Sequence, residues 1–162
     1  MNDVPREFRN ALGCFATGVA VVTTAAAAGP IGLTVNSFAS VSLNPPLILW
    51  SLDEASECKG AFLKATHFCI NVLKDDAKEL AQRLARKGDH AIDGDIAGHG
   101  AGGVPILIHA LAHFECAVEA RHAGGDHTIF VGRVLKHVHA EHGHPLVYYR
   151  GRYRSLAPTD AA

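Results

Sequence analysis

The stretch Thr34-Val35-Asn36-Ser37-Phe38-Ala39-Ser40-Val41-Ser42-Leu43-Asn44-Pro45-Pro46 decides the fold class of this 162-residue chain. Its odd positions Val35, Ala39, Val41 and Leu43 are apolar, and its even positions Thr34, Asn36, Ser40 and Ser42 are polar. Successive side chains of a strand point to opposite faces. The alternation therefore predicts a strand over 31–43, one face on a core and the other toward water or a polar ligand. Ser37 and Phe38 break the pattern, which predicts a bulge or a buried ligand edge there. Asn44-Pro45-Pro46 ends the strand.

Working outward, the same reasoning predicts more strands than helices. Val19–Thr24 is short and β-branched, with a turn expected at Gly29-Pro30. Leu47–Trp50 suits a buried strand and His67–Leu73 another. Two long strands are expected over Ala112–Arg121 and Thr128–Val138, turned by Gly124-Gly125-Asp126, and a last one runs from Leu146 to Tyr149 and on toward Tyr153. Val4, Phe8, Leu12 and Phe15 recur at helical spacing, with Pro5 in the first turn. Ser56 is placed to cap a short helix through Leu63. A clearer helix opens at Asp75 or Asp76, with Ala77, Leu80, Ala81 and Leu84 on one face and an i,i+4 pair, Glu79 and Arg83, on the other. Gly88–Gly103 is expected to be an irregular, flexible loop. Hairpin spacing favours an antiparallel closed sheet over a doubly wound parallel one, in a single domain spanning 1–162.

Composition narrows the function. Hydrophobic residues make up 48% and charged residues 19%, a globular balance. A formal net charge of −1 gives no basic footprint for nucleic acid. No apolar run approaches the ~20 residues of a membrane span. The segment Met1–Glu7 lacks the basic-then-apolar order of a signal peptide, so a cytoplasmic location is expected. Cys14, Cys58, Cys69 and Cys116 are scattered and read as reduced, mostly buried thiols.

The polar face of 34–42, with Ser51 and Ser56, is where ligand chemistry concentrates. A ligand with a flat ring, an amide edge, a polyol chain and a phosphate finds hydroxyl, amide and backbone partners in such a set. A solvated Ser/Thr face with an ordinary helix cap fits the same pattern, and alternation alone does not choose between them. Two other patterns are set aside. Gly98–Gly103 fits G-x-G-x-x-G, but no strand precedes it and Val104-Pro105 precludes the helix a dinucleotide site needs. His137, His139, His142 and His144 lie at a spacing that can hold a transition metal, but a solvated turn is the simpler reading, and no metal is expected. Trp50 reads as core, Arg83, Arg86 and Lys87 as a helix's polar face, and Arg150, Arg152 and Arg154 as a basic edge.

Several segments together resemble the flavin reductase family. They are Phe15-Ala16-Thr17-Gly18-Val19, Thr34–Phe38, Ser40-Val41-Ser42, Pro45-Pro46, Phe68–Leu73, Gly125-Asp126-His127 with Ile129–Val134, and Pro145–Tyr149, which cover nearly the whole chain in order. The loop Lys87–Ile92 departs from the family in lacking an aromatic residue. The resemblance implies a mainly β, antiparallel, Greek-key-like split β-barrel with two or three peripheral helices. It implies an NAD(P)H:flavin oxidoreductase that reduces FMN or FAD and supplies a partner monooxygenase. Flavin-binding positions carried over are Ile31, Leu33, Thr34, Val35, Asn36 and Ser37, then Ser51, Leu52, Ser56, Glu57 and Cys58. His127 of the Gly-Asp-His motif is carried over to NADH or NADPH, and a homodimer with flavin near its interface is implied. No side chain is assigned as catalytic, because hydride passes between the cofactors themselves. Two alternatives stand beside this: a same-fold reductase of a corrin or metal chelate, and a non-catalytic flavin-binding redox module.

Overall fold

The computed structural model describes residues 4–156. In chain order its elements are α1 (Val4–Leu12), β1 (Thr17–Gly18), β2 (Ala20–Ala26), β3 (Gly29–Val35), β4 (Ala39–Leu43), β5 (Pro46–Asp53), α2 (Lys59–Lys64), β6 (His67–Leu73), α3 (Lys78–Leu84), β7 (Ile96–His99), β8 (Pro105–Leu107), β9 (Ala110–Gly124), β10 (His127–His139), β11 (Val147–Tyr149) and β12 (Arg152–Arg154). A seven-stranded sheet runs in the order β3-β2-β6-β9-β10-β5-β4, with every neighbour antiparallel. Strands β1, β11 and β12 form a small second sheet, and β7 and β8 a hairpin.

The predicted strand over 31–43 is two strands, and the difference makes the fold. Strand β3 pairs with β2 at one edge of the large sheet, and β4 pairs with β5 at the other. Seven strands laid flat measure about 29 Å across at ~4.8 Å per gap. The three residues Asn36–Phe38 join the two edges and reach about 14 Å at full extension. The sheet must therefore roll until its edges approach, leaving an open seam where β3 and β4 do not pair. This is the split-barrel architecture. The break at Ser37-Phe38 has two causes. The Ser37 Oγ accepts the Ser51 N–H at 3.0 Å, tying the link to β5. Phe38 turns inward, 5.5 Å from the Phe114 ring.

Both faces of the rolled sheet are covered. On β2, Ala20 and Val22 face a core with Trp50, Phe62, Phe68 and Phe130 inside the roll. Val19, at the start of this run, and Val21 on β2 face the outer layer, where Ala77, Leu80, Ala81 and Leu84 pack beside Ile92 and Leu107. Trp50 stacks on Phe130 at 4.7 Å and meets Phe62 of α2 edge-on at 5.0 Å. Four fully buried aromatic rings at this density anchor the inner core. The apolar face predicted for the 75–84 helix is the buried one, although its first turn, Asp75–Ala77, is a 3₁₀ turn.

Other expectations need correction. Val41 and Leu43 are not core: β4 is an edge strand, and they stand 48% and 94% exposed. The β2–β3 turn falls at Ala27-Ala28, and Gly29 and Pro30 already belong to β3. Arg83 does not pair with Glu79; it reaches Asp89 at 3.1 Å and Asp95 at 3.3 Å, pinning the following segment. That segment is no irregular loop over 88–103. It carries β7, which pairs with β8 just beyond it, and buries Ile92, as Val104 and Leu107 are buried in the residues that follow. Leu146–Tyr153 is a hairpin, β11 and β12, turned at Arg150-Gly151 where both φ angles are positive.

Candidate functional site

Strand β3 is an edge, so one side of its backbone has no strand partner. The Gly32 N–H donates outward to the His90 carbonyl at 2.9 Å, not to β2. Antiparallel strands alternate bonded and non-bonded pairs, so the Thr34 backbone, two residues on, also points off this outer edge. The segment 90–92 covers the edge at Ile31 and Gly32 and goes no further. Beyond it the open seam becomes a cleft of about 420 Å³.

One wall is the end of β3 and the link: Leu33, Thr34, Val35, Asn36 and Ser37. Facing them, Ser51 and Asp53 project from β5, because the alternate residues Trp50 and Leu52 point into the core. Ala55, Ser56 and Glu57 close the far end, and Ala85, Lys87 and His90 form a rim. His127 enters at the start of β10, directly across from Asp53. Nine of the twelve positions carried over in sequence thus line one cleft. Ile31 does not; it bridges to Ala91 and packs on the inner core. Leu52 and Cys58 are buried in that core.

Hydrogen bonding separates side chains that are engaged within the protein from those that are not. Thr34 donates its hydroxyl to the Ala81 carbonyl at 2.8 Å, and Ser37 is bound to Ser51. Ser56 does not cap a helix: its Oγ accepts the Cys58 N–H at 3.2 Å, and α2 starts at Lys59 without a side-chain cap. Glu57 accepts the Gly88 N–H and sits 3.7 Å from His90 Nε2, so it clamps the rim to the far end. His90 Nδ1 is buried with no partner. Lys87 is the sole Lys or Arg among the described residues lining the cleft.

Charges cluster beside His127. Its Nδ1 lies 2.7 Å from Asp126 Oδ1, on a turn made by Gly125 at φ +72°. That hydrogen bond holds the Asp126 carboxyl below its usual range. The Glu54 N–H donates to the Asp126 carbonyl at 2.9 Å. The Glu54 carboxyl, bonded to Lys59 and Thr128, is likewise lowered. With Nδ1 engaged, Nε2 is the ring nitrogen left for a ligand. Burial pushes the Cys58 thiol up to about 11, which leaves it protonated and unreactive at neutral pH. Among the described residues no three His, Cys, Asp or Glu side chains are grouped to hold a metal ion.

Sequence reasoning missed Asp53, Ala55, Ala85, Lys87 and His90. Asp53 had a usable signal, two residues after Ser51 on the same strand face. Ala55 lies beside Ser56 in the chain, and Ala85, Lys87 and His90 arrive through long-range packing of the 85–90 segment.

Fold and cleft together define an antiparallel split-barrel protein with a mixed polar and apolar site, sized for a cofactor (roughly 300–1,000 Å³ is usual). The chain belongs to the flavin reductase family: residues 12–157 match the flavin reductase like domain. It is 51% identical over 150 residues to the FMN reductase (NADH) SmoA of Agrobacterium fabrum, covering 91% of this chain and 84% of that protein. It is 36% identical to the flavin-dependent monooxygenase reductase subunit HsaB of Rhodococcus jostii, covering 95% of this chain and 79% of that one. Among solved structures, the NADH:FAD oxidoreductase SgcE6 of Streptomyces globisporus C-1027, in complex with NAD and FAD fragments, superposes with a TM-score of 0.90. It is 34% identical, over 95% of this chain and 93% of that one.

Proposed function

We propose that the protein is an NADH-dependent flavin reductase that binds FMN or FAD in the seam cleft and supplies reduced flavin to a separate monooxygenase. The observation that carries this is the open seam itself. An edge strand presents backbone groups toward a cofactor-sized cleft in a chain that belongs to the flavin reductase family.

The residues fit a flavin. The outward-facing backbone of Thr34, with the Asn36 amide, suits the donor and acceptor groups at the pyrimidine edge. Leu33 and Val35 supply apolar contact for the ring, and Ser51 a hydroxyl for the ribityl chain. Lys87 and Ser56 at the far end suit the phosphate, with His90 on the rim beside them. Thr34 and Ser37 then act as shape-setters, since their hydroxyls are bound within the protein. Hydride transfer from dihydronicotinamide to flavin is the chemistry the cofactors supply. The protein's task is to hold the rings face to face and keep water out. His127, fixed by Asp126, offers Nε2 to the nicotinamide nucleotide. No acid or base is required for that step.

NADH is favoured over NADPH because Asp53 and Asp126 flank His127, where a 2′-phosphate would meet like charge. A homodimer is supported by Leu43 on β4 and Phe8 and Leu12 on α1, large apolar side chains that this chain leaves exposed. A cytoplasmic setting agrees with four free cysteines. No helix of the described residues is long and apolar enough to cross a membrane.

The test is NADH consumption by the purified protein. Oxidation is expected to depend on added or bound FMN or FAD, with NADPH slower. A folded, flavin-saturated sample that oxidises neither nucleotide refutes the proposal. A corrin or metal chelate reduced faster than free flavin would identify a different final acceptor.

A further inference from the structure

We propose that Glu54 is a positioning residue for the nucleotide site: its carboxylate, bonded to Thr128 and Lys59 behind the cleft wall, fixes the turn that presents His127 to the nicotinamide nucleotide. This rests on the reading of His127 given above.

His127 stands at an end of the sheet that has little packing of its own. Residues 121–126, the tip of the β9–β10 hairpin, are all exposed. Gly124 and Gly125 lie in it, and Gly125 takes φ +72°. The Asp126 carboxylate that holds the His127 Nδ1 is itself exposed. An exposed, glycine-bearing hairpin tip belongs to the low-stability end of a fold. A side chain there meets a ligand in one fixed place only if something outside the hairpin holds it.

Glu54 supplies that hold from both its backbone and its side chain. It follows Asp53, the last residue of β5, and its N–H donates to the Asp126 carbonyl at 2.9 Å. Its carboxylate accepts the Thr128 hydroxyl. The two contacts bracket His127, one residue before it and one after. Side chains alternate along a strand, so Asp53 and His127 line the cleft while Glu54 and Thr128 are turned away from it. Glu54 therefore acts through His127 and not on the ligand.

The same carboxylate meets Lys59 Nζ at 2.5 Å. Lys59 opens α2, whose Phe62 is fully buried and meets Trp50 edge-on. A continuous path thus runs from the aromatic core through α2, Lys59, Glu54 and Thr128 to the exposed turn. The bonds from Lys59 and Thr128 hold the Glu54 carboxyl below its ordinary value, so the strut stays ionised at neutral pH. An ion pair this exposed adds little to stability. Its effect is on placement, and the two are separable by experiment.

The experiment is steady-state NADH oxidation at saturating FMN, with Tm measured alongside. Glu54→Ala keeps the backbone bond to Asp126 and loses only the carboxylate. It is expected to raise the KM for NADH about fivefold, with kcat and Tm little changed. Removing a negative charge beside an anionic nucleotide would by itself lower KM, so a rise reports lost placement. Glu54→Gln still offers Thr128 an oxygen and should keep KM within about twofold of the parent. Thr128→Val, which breaks the same bond from the other side, should raise KM as Glu54→Ala does. In a His127→Ala background, Glu54→Ala should add nothing further. A KM that is unchanged or lowered in both folded Glu54→Ala and Thr128→Val overturns the proposal, as does a fall in kcat at constant KM. Additive effects in the double variant overturn it too. If His127→Ala itself leaves KM unchanged, the nucleotide reading beneath the proposal fails instead.

Discussion

His127 shows how much a single position can reveal and how much it conceals. Its place in Gly-Asp-His, with Asp126 beside it, was visible in the sequence, but Asp53 comes to lie across from it only through the β5–β10 register. His127→Ala should raise the KM for NADH about tenfold, the loss of one hydrogen bond worth ~1.4 kcal/mol, with flavin Kd unchanged. Steady-state kinetics at saturating FMN checks this, and an unaltered KM would remove His127 from the nucleotide site. A second histidine bears on stability. Burial pushes the His113 imidazole below its ordinary value of 6.5, with Glu115 and Lys136 acting in opposite senses beside it. The unfolded chain then takes up the proton first. Stability present above pH 6.5 is lost as pH falls through the lowered folded value. His113→Phe should flatten the fall in Tm between pH 7 and pH 5, and parallel Tm profiles for both proteins would contradict this. At this scale the hydroxyl-bearing positions were legible and their duties were not. Thr34 and Ser37 both look like ligand donors until Ala81 and Ser51 are found to engage them.

Elements were more legible than residues. A short apolar run gave β6 its limits and helical periodicity gave α3 its buried face, because those elements pack as their own patterns require. The failures occur where a long-range contact overrides a local pattern. Alternation runs unbroken enough through 31–43 to suggest one strand, yet the chain must leave β2 and join β5 within three residues. The 88–103 segment is glycine-rich, but Arg83 pins its start and β7–β8 pairing orders its end. Gly132 is a position where an element has no latitude. A Cβ there would stand 2.4 Å from Phe68 Cζ and 3.0 Å from Cys116 Cβ, at a register shift in β10. Gly132→Ala should cost about 1–3 kcal/mol and lower Tm by several degrees, as overpacking against an aromatic core does. Calorimetry showing an unchanged Tm would mean the Phe68 ring can move aside.

At the scale of the whole molecule, fold class and family membership were legible because motifs recur in order along nearly the entire chain. The surface was not. The odd positions of 39–43 looked like core and instead form an exposed apolar rim with Leu43 at its end. In the homodimer proposed above, a second copy would cover that rim. Leu43→Glu should shift the protein from dimer to monomer in light scattering at micromolar concentration, since an unpaired charge cannot enter an apolar interface without penalty. A mass of one chain for the parent protein would rule out the dimer directly.

The unpaired seam gives the ligand a structural part to play as well as a chemical one. In a fully closed barrel the outer edge of β3 would be laddered to β4, and no rung would be left for anything else. On the proposed reading the missing rungs would be the recognition surface, and a flat ring with an amide edge would take the place of a strand. Loading with flavin should then slow amide exchange at Thr34 and Asn36 selectively and raise the melting temperature by mass action. The holoprotein would be the completed barrel, its last rung supplied by a small molecule that can leave.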